Sequence, residues 1–176
     1  MFIPEITTRV SAEIDTSEID NALDIVNSSD ILSQLGISEL LTEQKNTLQN
    51  LRDPLAEAVA ERLSSNQEII ISTKHYITGM MSNSVDVFSD GDNYLVGNTA
   101  SSVDGFPYPL AIEKGTNAHW VAPVTYNVLH WVDKGEEGFS KGHMVSGIKA
   151  DPFVQPSIDL TIADIDEIFN NLEDKI

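Results

Sequence analysis

Residues 84–89 alternate at period two near the middle of the chain, Asp90-Gly91-Asp92 follows as a turn signal, and residues 93–98 read as a second strand. Alternation at period two around such a turn predicts a β-hairpin. The first third of the chain and its C-terminal end do not alternate. Their apolar residues recur every three or four positions, the period of a helix. N-terminal helices, then an antiparallel sheet with β-hairpins, then a closing C-terminal amphipathic helix make an α+β fold, with helices on one sheet face. At 176 residues the chain has the length of a single domain. A domain of this size buries about 70% of its unfolded surface and needs no covalent staples. There is no internal repeat or low-complexity tract.

The helical third divides at its polar breaks. Ser17 predicts the cap of a short helix with the stripe Ile19, Ala22, Leu23 and Val26, and Glu18 and Asp20 suit its positive end. Ser28, Ser29 and Asp30 break it, and a short piece over 31–35 ends at Gly36. Ser38 opens a longer helix in which Leu41, Leu48 and Leu55 stand seven apart and Leu51 fills the seam. Asp53-Pro54 predicts a fresh start. Its apolar face is Leu55, Ala58, Val59 and Leu63, and it frays at Ser64-Ser65-Asn66. The β-branched run Ile69 to Ile71 is compatible with a strand. Ile70, Thr73, Ile77 and Met80 fit one helix face, however, with Asn66 as cap and Gly79 in the final turn, and helix is the expectation.

After the hairpin, residues 101–109 form a loop, and Pro107 and Pro109 around Tyr108 predict a stiff, extended entry to the next element. Short strands are expected at Trp120-Val121, over 129–133 and over 139–145, with a turn over 134–138. Asp151-Pro152 repeats the cap-then-proline device and opens the final helix. Its stripe is Ile158, Ile162, Ile165, Phe169 and Leu172, and acids occupy its other face. Residues 1–37 read as an acidic N-terminal extension and 38–176 as a single α+β domain.

Charge and chemistry narrow the function. Ten basic against 28 acidic residues leave a net charge of −18, which argues against a broad electrostatic grip on DNA, RNA or anionic lipid. Residues 1–68 carry −9, 69–157 carry −4 and 158–176 carry −5, so the two ends are the acidic parts. Such acidity serves as a solvated helix face, as a surface that repels a polyanion or a like-charged neighbour, or as salt adaptation. No cysteine is present, so disulfides, zinc-thiolate sites and thiol nucleophiles are excluded. No signal peptide, membrane span or lipidation signal is expected.

Of the four histidines, His119 and His130 lie near Asp133 in sequence, and a metal-dependent hydrolase would need these three to converge. His75 and His143 suggest no ligand spacing. There is no nucleophile elbow, phosphate loop or dinucleotide fingerprint. Glu136-Glu137 sit in a glycine-flanked turn, without the burial that a general acid needs. Trp120 and Trp131 fit core or interface better than a stacking platform, and Trp131 and Phe153 are assigned to the core. A non-enzyme is expected, with no cofactor and no metal. An acidic inhibitor of a cationic partner is a further reading.

Four local patterns stand in one order. Thr78-Gly79-Met80-Met81-Ser82-Asn83-Ser84 resembles a Thr-Gly-x-Leu-x-x-Ser signature. Tyr108-Pro109-Leu110-Ala111-Ile112-Glu113-Lys114-Gly115-Thr116 is similar to Tyr-Ala-x-x-Val-Glu-x-Gly-Thr. Gly115-Thr116-Asn117-Ala118-His119-Trp120-Val121-Ala122-Pro123, followed by Leu129-His130-Trp131, resembles Gly-Thr-x-Pro-His-x-Ile-x-Pro and a Leu-x-aromatic strand. Asp151-Pro152-Phe153-Val154-Gln155-Pro156-Ser157-Ile158 is similar to Pro-Phe-Leu-x-Pro-Ala at the start of a last helix. Together, over roughly residues 40–170, these resemble the tail-completion, or head–tail joining, family of lambda-like tailed phages. Met81 stands in place of Leu, Ala118 in place of Pro, and no Ala-Pro precedes Thr78.

The resemblance implies a structural virion protein of the neck, made in the host cytoplasm. It implies a cyclic ring, a hexamer of roughly six copies, with heterologous contacts between neighbours. Its other partners would be the portal-side adaptor or connector and the tail terminator or tail tube protein. DNA would pass without sequence-specific binding, and no membrane is involved. An acidic channel wall suits that passage. The loop residues Ser101, Asp104, Phe106 and Tyr108 are candidates for contact with a neighbour or the lumen. The turn over 134–138 and an arm over 2–10, which offers a strand to a sheet edge, are second choices. Thr78, Gly79, Glu113, Gly115, Thr116, His119, Pro152 and Phe153 belong to the motifs and are read as structural, with Gly115 at positive φ.

Overall fold

The computed structural model describes residues 7–10, 13, 15–29, 36–75, 79–91, 93–102, 105–123, 126–133 and 135–173. Strand β1 (Thr7–Val10) precedes helices α1 (Ser17–Asn27), α2 (Ile37–Asn50) and α3 (Arg52–Lys74). The hairpin β2 (Val85–Asp90) and β3 (Asn93–Asn98) follows, then the short helix α4 (Tyr108–Lys114). Strands β4 (His119–Val121), β5 (Leu129–Asp133), β6 (Glu136–Ser140) and β7 (His143–Val145) come next. Helices α5 (Val154–Ala163) and α6 (Ile165–Glu173) close the described chain. The fold is mixed α+β.

The expected hairpin forms with Asp90 opposite Asn93 and Val85 opposite Asn98. Gly91 takes φ 62°, the positive value that tight hairpin turns require. β1 pairs antiparallel with the other edge of β3, from Thr7 opposite Gly97 to Val10 opposite Tyr94. β3 is therefore central, and Leu95 through Asn98 are all buried. The N-terminal strand thus lies in the chain's own sheet, and the rest of the expected arm, 2–6, lies outside the described residues. The sheet does not continue into 119–145. There β4 pairs with β7 and β5 with β6, as two separate two-stranded ladders.

The core joins α3, the hairpin and the start of α5. Ala60, Leu63, Ile70, Ile71, Val96 and Phe153 belong to one buried cluster. Phe153 and Val96 are fully enclosed, and burying such a side chain stabilises by about 1.5–3 kcal/mol.

Several expectations on the helices are corrected. The cap of α1 falls on Thr16, and Ser17 is the first helical residue; the Ser17 N–H donates to the Asp15 carboxylate at 2.9 Å. Asp53-Pro54 lies inside the first turn of α3, where the proline's missing N–H costs nothing because first-turn N–H groups have no helical partner. α3 does not fray at Ser64-Ser65-Asn66 but runs on to Lys74, through the ambiguous isoleucines. Ser64, Asn66 and Gln67 are buried, and Asn66 Nδ2 donates to Thr161 Oγ1 at 3.0 Å. Packing against α5 thus outweighs the low local propensity, and Asn66 is no cap. Thr73 is exposed, and Gly79 lies beyond the helix at φ 76°.

The last helix is two. α5 begins at Val154, after Phe153, and the chain breaks at Asp164 before α6. Pro152 is exposed and precedes the helix rather than opening it. The buried residues are Ser157, Thr161 and Ile168, while Ile162, Ile165 and Phe169 of the expected stripe are exposed. The expected turn over 134–138 is shorter: Glu136, Glu137 and Gly138 belong to β6. The return strand splits at 141–142. The expected helix over 31–35 and residues Thr78, Asp104 and Lys134 lie outside the described residues.

Candidate functional site

The second, third and fourth sequence motifs meet at one place. α4 ends in Lys114, and Glu113 one residue earlier accepts the backbone N–H of Phe153 at 2.8 Å and of Val154 at 3.2 Å. These are orphan donors at the start of α5, whose own cap residue, Phe153, has no side-chain acceptor. A carboxylate there also opposes the positive end of the helix dipole. Next along the chain, Gly115 adopts φ 71° and ψ 174°, a conformation nearly restricted to glycine. A Cβ at Gly115 would stand 2.7 Å from both Ala150 N and Ile148 O. Thr116 N–H then donates to Ile148 O at 2.8 Å, and Ile148 N–H donates back to Thr116 Oγ1 at 3.0 Å. Asp151 N–H donates to Ile112 O at 2.9 Å. Residues 112–116 and 148–154 are in this way latched together.

The first motif is a turn. Gly79 O accepts Asn83 N–H and Ser82 Oγ, both at 3.0 Å. Asn98 reaches in from β3, donating Nδ2 to Met81 O at 2.7 Å and accepting Ala100 N–H at 3.0 Å.

In the loop proposed for contacts, Ser101 and Phe106 are exposed, whereas Tyr108 packs against the core at the start of α4. The entry at Tyr108 is therefore helical, with Pro109 buried in the first turn, rather than extended. Ser102 closes the loop: its N–H donates to Phe106 O at 2.9 Å and its Oγ accepts Phe106 N–H at 3.1 Å.

The histidines are held by different neighbours. His119 Nδ1 lies 2.9 Å from Asn117 O, and the His130 ring stacks on Phe139 at 4.7 Å. His143 packs against Trp131 at 5.2 Å, and His75 Nε2 lies 3.6 Å from the Asp151 carboxylate. The Asp133 side chain lies outside the described residues. Among the described residues no group of three His, Asp or Glu side chains is placed to hold a metal ion. No described helix is long and apolar enough to cross a membrane.

The aromatic side chains of 119–145 lie on the surface. Trp131 is 42% exposed, which corrects its assignment to the core. It lies flat over Gly138, where a Cβ would come within 2.4 Å of the indole, and Trp120 covers Gly142 in the same way. Gly138, opposite Trp131, and Gly142, just before β7, thus seat the two indoles on backbone rather than in a core. Trp120, Val132, Phe139 and Met144 are each more than 60% exposed. Reading single residues misses this surface. The signal available is a segment with large apolar residues at both odd and even strand positions and few acids.

Electrostatics are shaped by local acid clusters. Burial, then the Glu57, Asp53 and Glu61 carboxylates of α3, push the Tyr94 phenol above its ordinary value. The hydrogen bond from Lys45 holds Asp20 below the usual carboxylate range and ties α1 to α2. No protein family, curated protein or solved structure matches the chain.

Proposed function

We propose that this chain is a structural subunit of the neck of a tailed virion, a ring-forming protein that joins the DNA-filled head to the tail tube. The observation that carries the reading is the latch. Glu113, Gly115 and Thr116 of the second motif, the last two shared with the third, and Phe153 of the fourth hold two distant segments together. A signature whose residues bond to one another marks a shared scaffold, and the resemblance of that scaffold to tail-completion proteins supplies the function. The net charge of −18 supports it from another side, since such a surface gives passing DNA little to adhere to. Its partners in this reading are copies of itself, the portal-side adaptor and the tail terminator or tail tube.

The test is position on the particle. Gold-labelled antibody against the chain, applied to tailed virions that encode it, is expected at the head–tail junction. Label on the capsid or tail tip, or none on virions, would overturn the reading.

A further inference from the structure

Helices α1 and α2 form an antiparallel pair that is fastened at two levels. Ser38 Oγ donates to Asn27 Oδ1 at 3.0 Å at one end, and Lys45 Nζ donates to the Asp20 carboxylate toward the other. Where Ile19 of α1 faces α2 lies a groove of about 460 Å³. Ile19, Leu40 and Leu48 supply its apolar lining, and Glu43, Gln44 and Thr47, all exposed, its polar lining. No residue of α2 is buried, and Leu40 is 55% exposed. The apolar seam of the pair is therefore open along this side among the described residues.

The border of the groove is acidic and lacks a counter-charge. Glu39 and Glu43, four residues apart, share a face of α2. With Glu18 and Asp24 of α1 they are exposed and make no ion pair among the described residues. Lys45 is the one cation of the two helices, and Asp20 already holds it. A second copy of this chain would bring its own net-acidic α1, α2 or α6 against these carboxylates. The complement of an apolar groove with an unpaired acidic border is an amphipathic helix with apolar anchors on one face and lysines or arginines beside them. A third helix laid along a helix pair also packs ridge into groove, as in a bundle.

We propose that the α1–α2 groove receives a cationic amphipathic helix of another protein. Its apolar anchors meet Ile19, Leu40 and Leu48, and its cations pair with Glu39 and Glu43. The Ser38 and Lys45 bonds hold the groove formed beforehand, which lowers the ordering cost of binding. The 14 residues of α2 span about 21 Å, so the matching helix is about four turns long. This docking site stands apart from the neck reading, since α1 lies outside the four motifs.

The probe is a peptide of about 15 residues with leucines at helical spacing and lysines elsewhere, added to the isotope-labelled full chain. One control peptide carries glutamate in place of lysine, and another has the same residues in an order without an apolar face. Amide shifts by NMR are expected within 17–27 and 37–50, with binding several-fold weaker in about 1 M than in about 0.1 M salt. Leu40→Ser and Glu43→Gln alter exposed positions, and each is expected to weaken binding several-fold. Neither control peptide is expected to compete. Shifts centred on another acidic face, such as that of α6, mean that charge alone attracts the peptide. Self-association of the free chain that Leu40→Ser abolishes gives the groove to a second copy. Either result overturns the proposal, as do no shift at all, equal binding of a control peptide, or indifference to either variant. None of these results bears on the neck reading, which position on the virion decides.

Discussion

The Glu113 carboxylate reaches across 40 residues of sequence to accept the Phe153 N–H at 2.8 Å. One side chain thereby fixes where α5 begins and how it meets α4. Its second bond, from Val154 N–H, makes it the cap that neither Asp151 nor Pro152 supplies. Replacing Glu113 with Ala is expected to cost about 1–2 kcal/mol of folding stability. Glu113→Gln keeps an acceptor oxygen and loses only the charge, so it should cost less. Urea denaturation reads both, and unchanged midpoints would contradict the capping role.

Gly115 gives a sharper contrast. Its φ is positive and a Cβ would meet backbone atoms that cannot move aside, so Gly115→Val is expected to lose several kcal/mol and fold poorly. Gly105 also has a positive φ, but nothing lies within 4 Å of its would-be Cβ. Gly105→Ala should cost only about 1 kcal/mol. Equal thermal shifts for the two variants would contradict this account of the latch.

The buried pair Asn66–Thr161 links α3 to α5, and Thr161 Oγ1 in turn donates to Ser157 O at 2.8 Å. Thr161→Val removes the acceptor and strands the Asn66 amide, at an expected cost of about 1–3 kcal/mol. Pairing it with Asn66→Leu should recover part of the loss. A double-mutant cycle without coupling would contradict the bond.

These contacts also explain what the sequence hides. The hairpin at 84–98 is legible because its alternation and its turn agree. The run through Ser64 and Asn66 is not, because its polar side chains look like a break until Thr161 comes to meet them. The stripe Ile158, Ile162, Ile165, Phe169, Leu172 is legible as amphipathic, but periodicity cannot say which residues the core covers. Only Ile158 and Leu172 of that stripe are partly covered. Trp131 reads as core by residue type, yet its platform is the backbone of Gly138, which appears only once β5 and β6 are in register. Glu113 stands out in its motif, while its partner, 40 residues on, does not.

Acid should weaken the contact between α1 and α2 that Asp20 and Lys45 make. Lys45 depresses the Asp20 carboxyl, so its contribution is complete above the ordinary carboxylate pKa and is lost as pH falls through the lowered folded value. A carboxyl titration by NMR should place Asp20 below the ordinary aspartate range, and Lys45→Met should move it upward. No movement in the variant would contradict the pairing of α1 with α2.

Both tryptophans, Trp120 and Trp131, are surface residues, so fluorescence reports on residues 119–145 alone. The monomer is expected to emit like solvent-exposed indole and to be quenched readily by iodide in high salt. Emission already shielded in the monomer would contradict the exposure of Trp120 and Trp131.

The most direct test of the neck assignment is subunit-resolved electron microscopy of tailed virions that encode this chain. The account predicts a ring of its copies between the portal-side adaptor and the tail tube. A fully resolved head–tail junction that lacks the chain, or its density elsewhere on the particle, would contradict it.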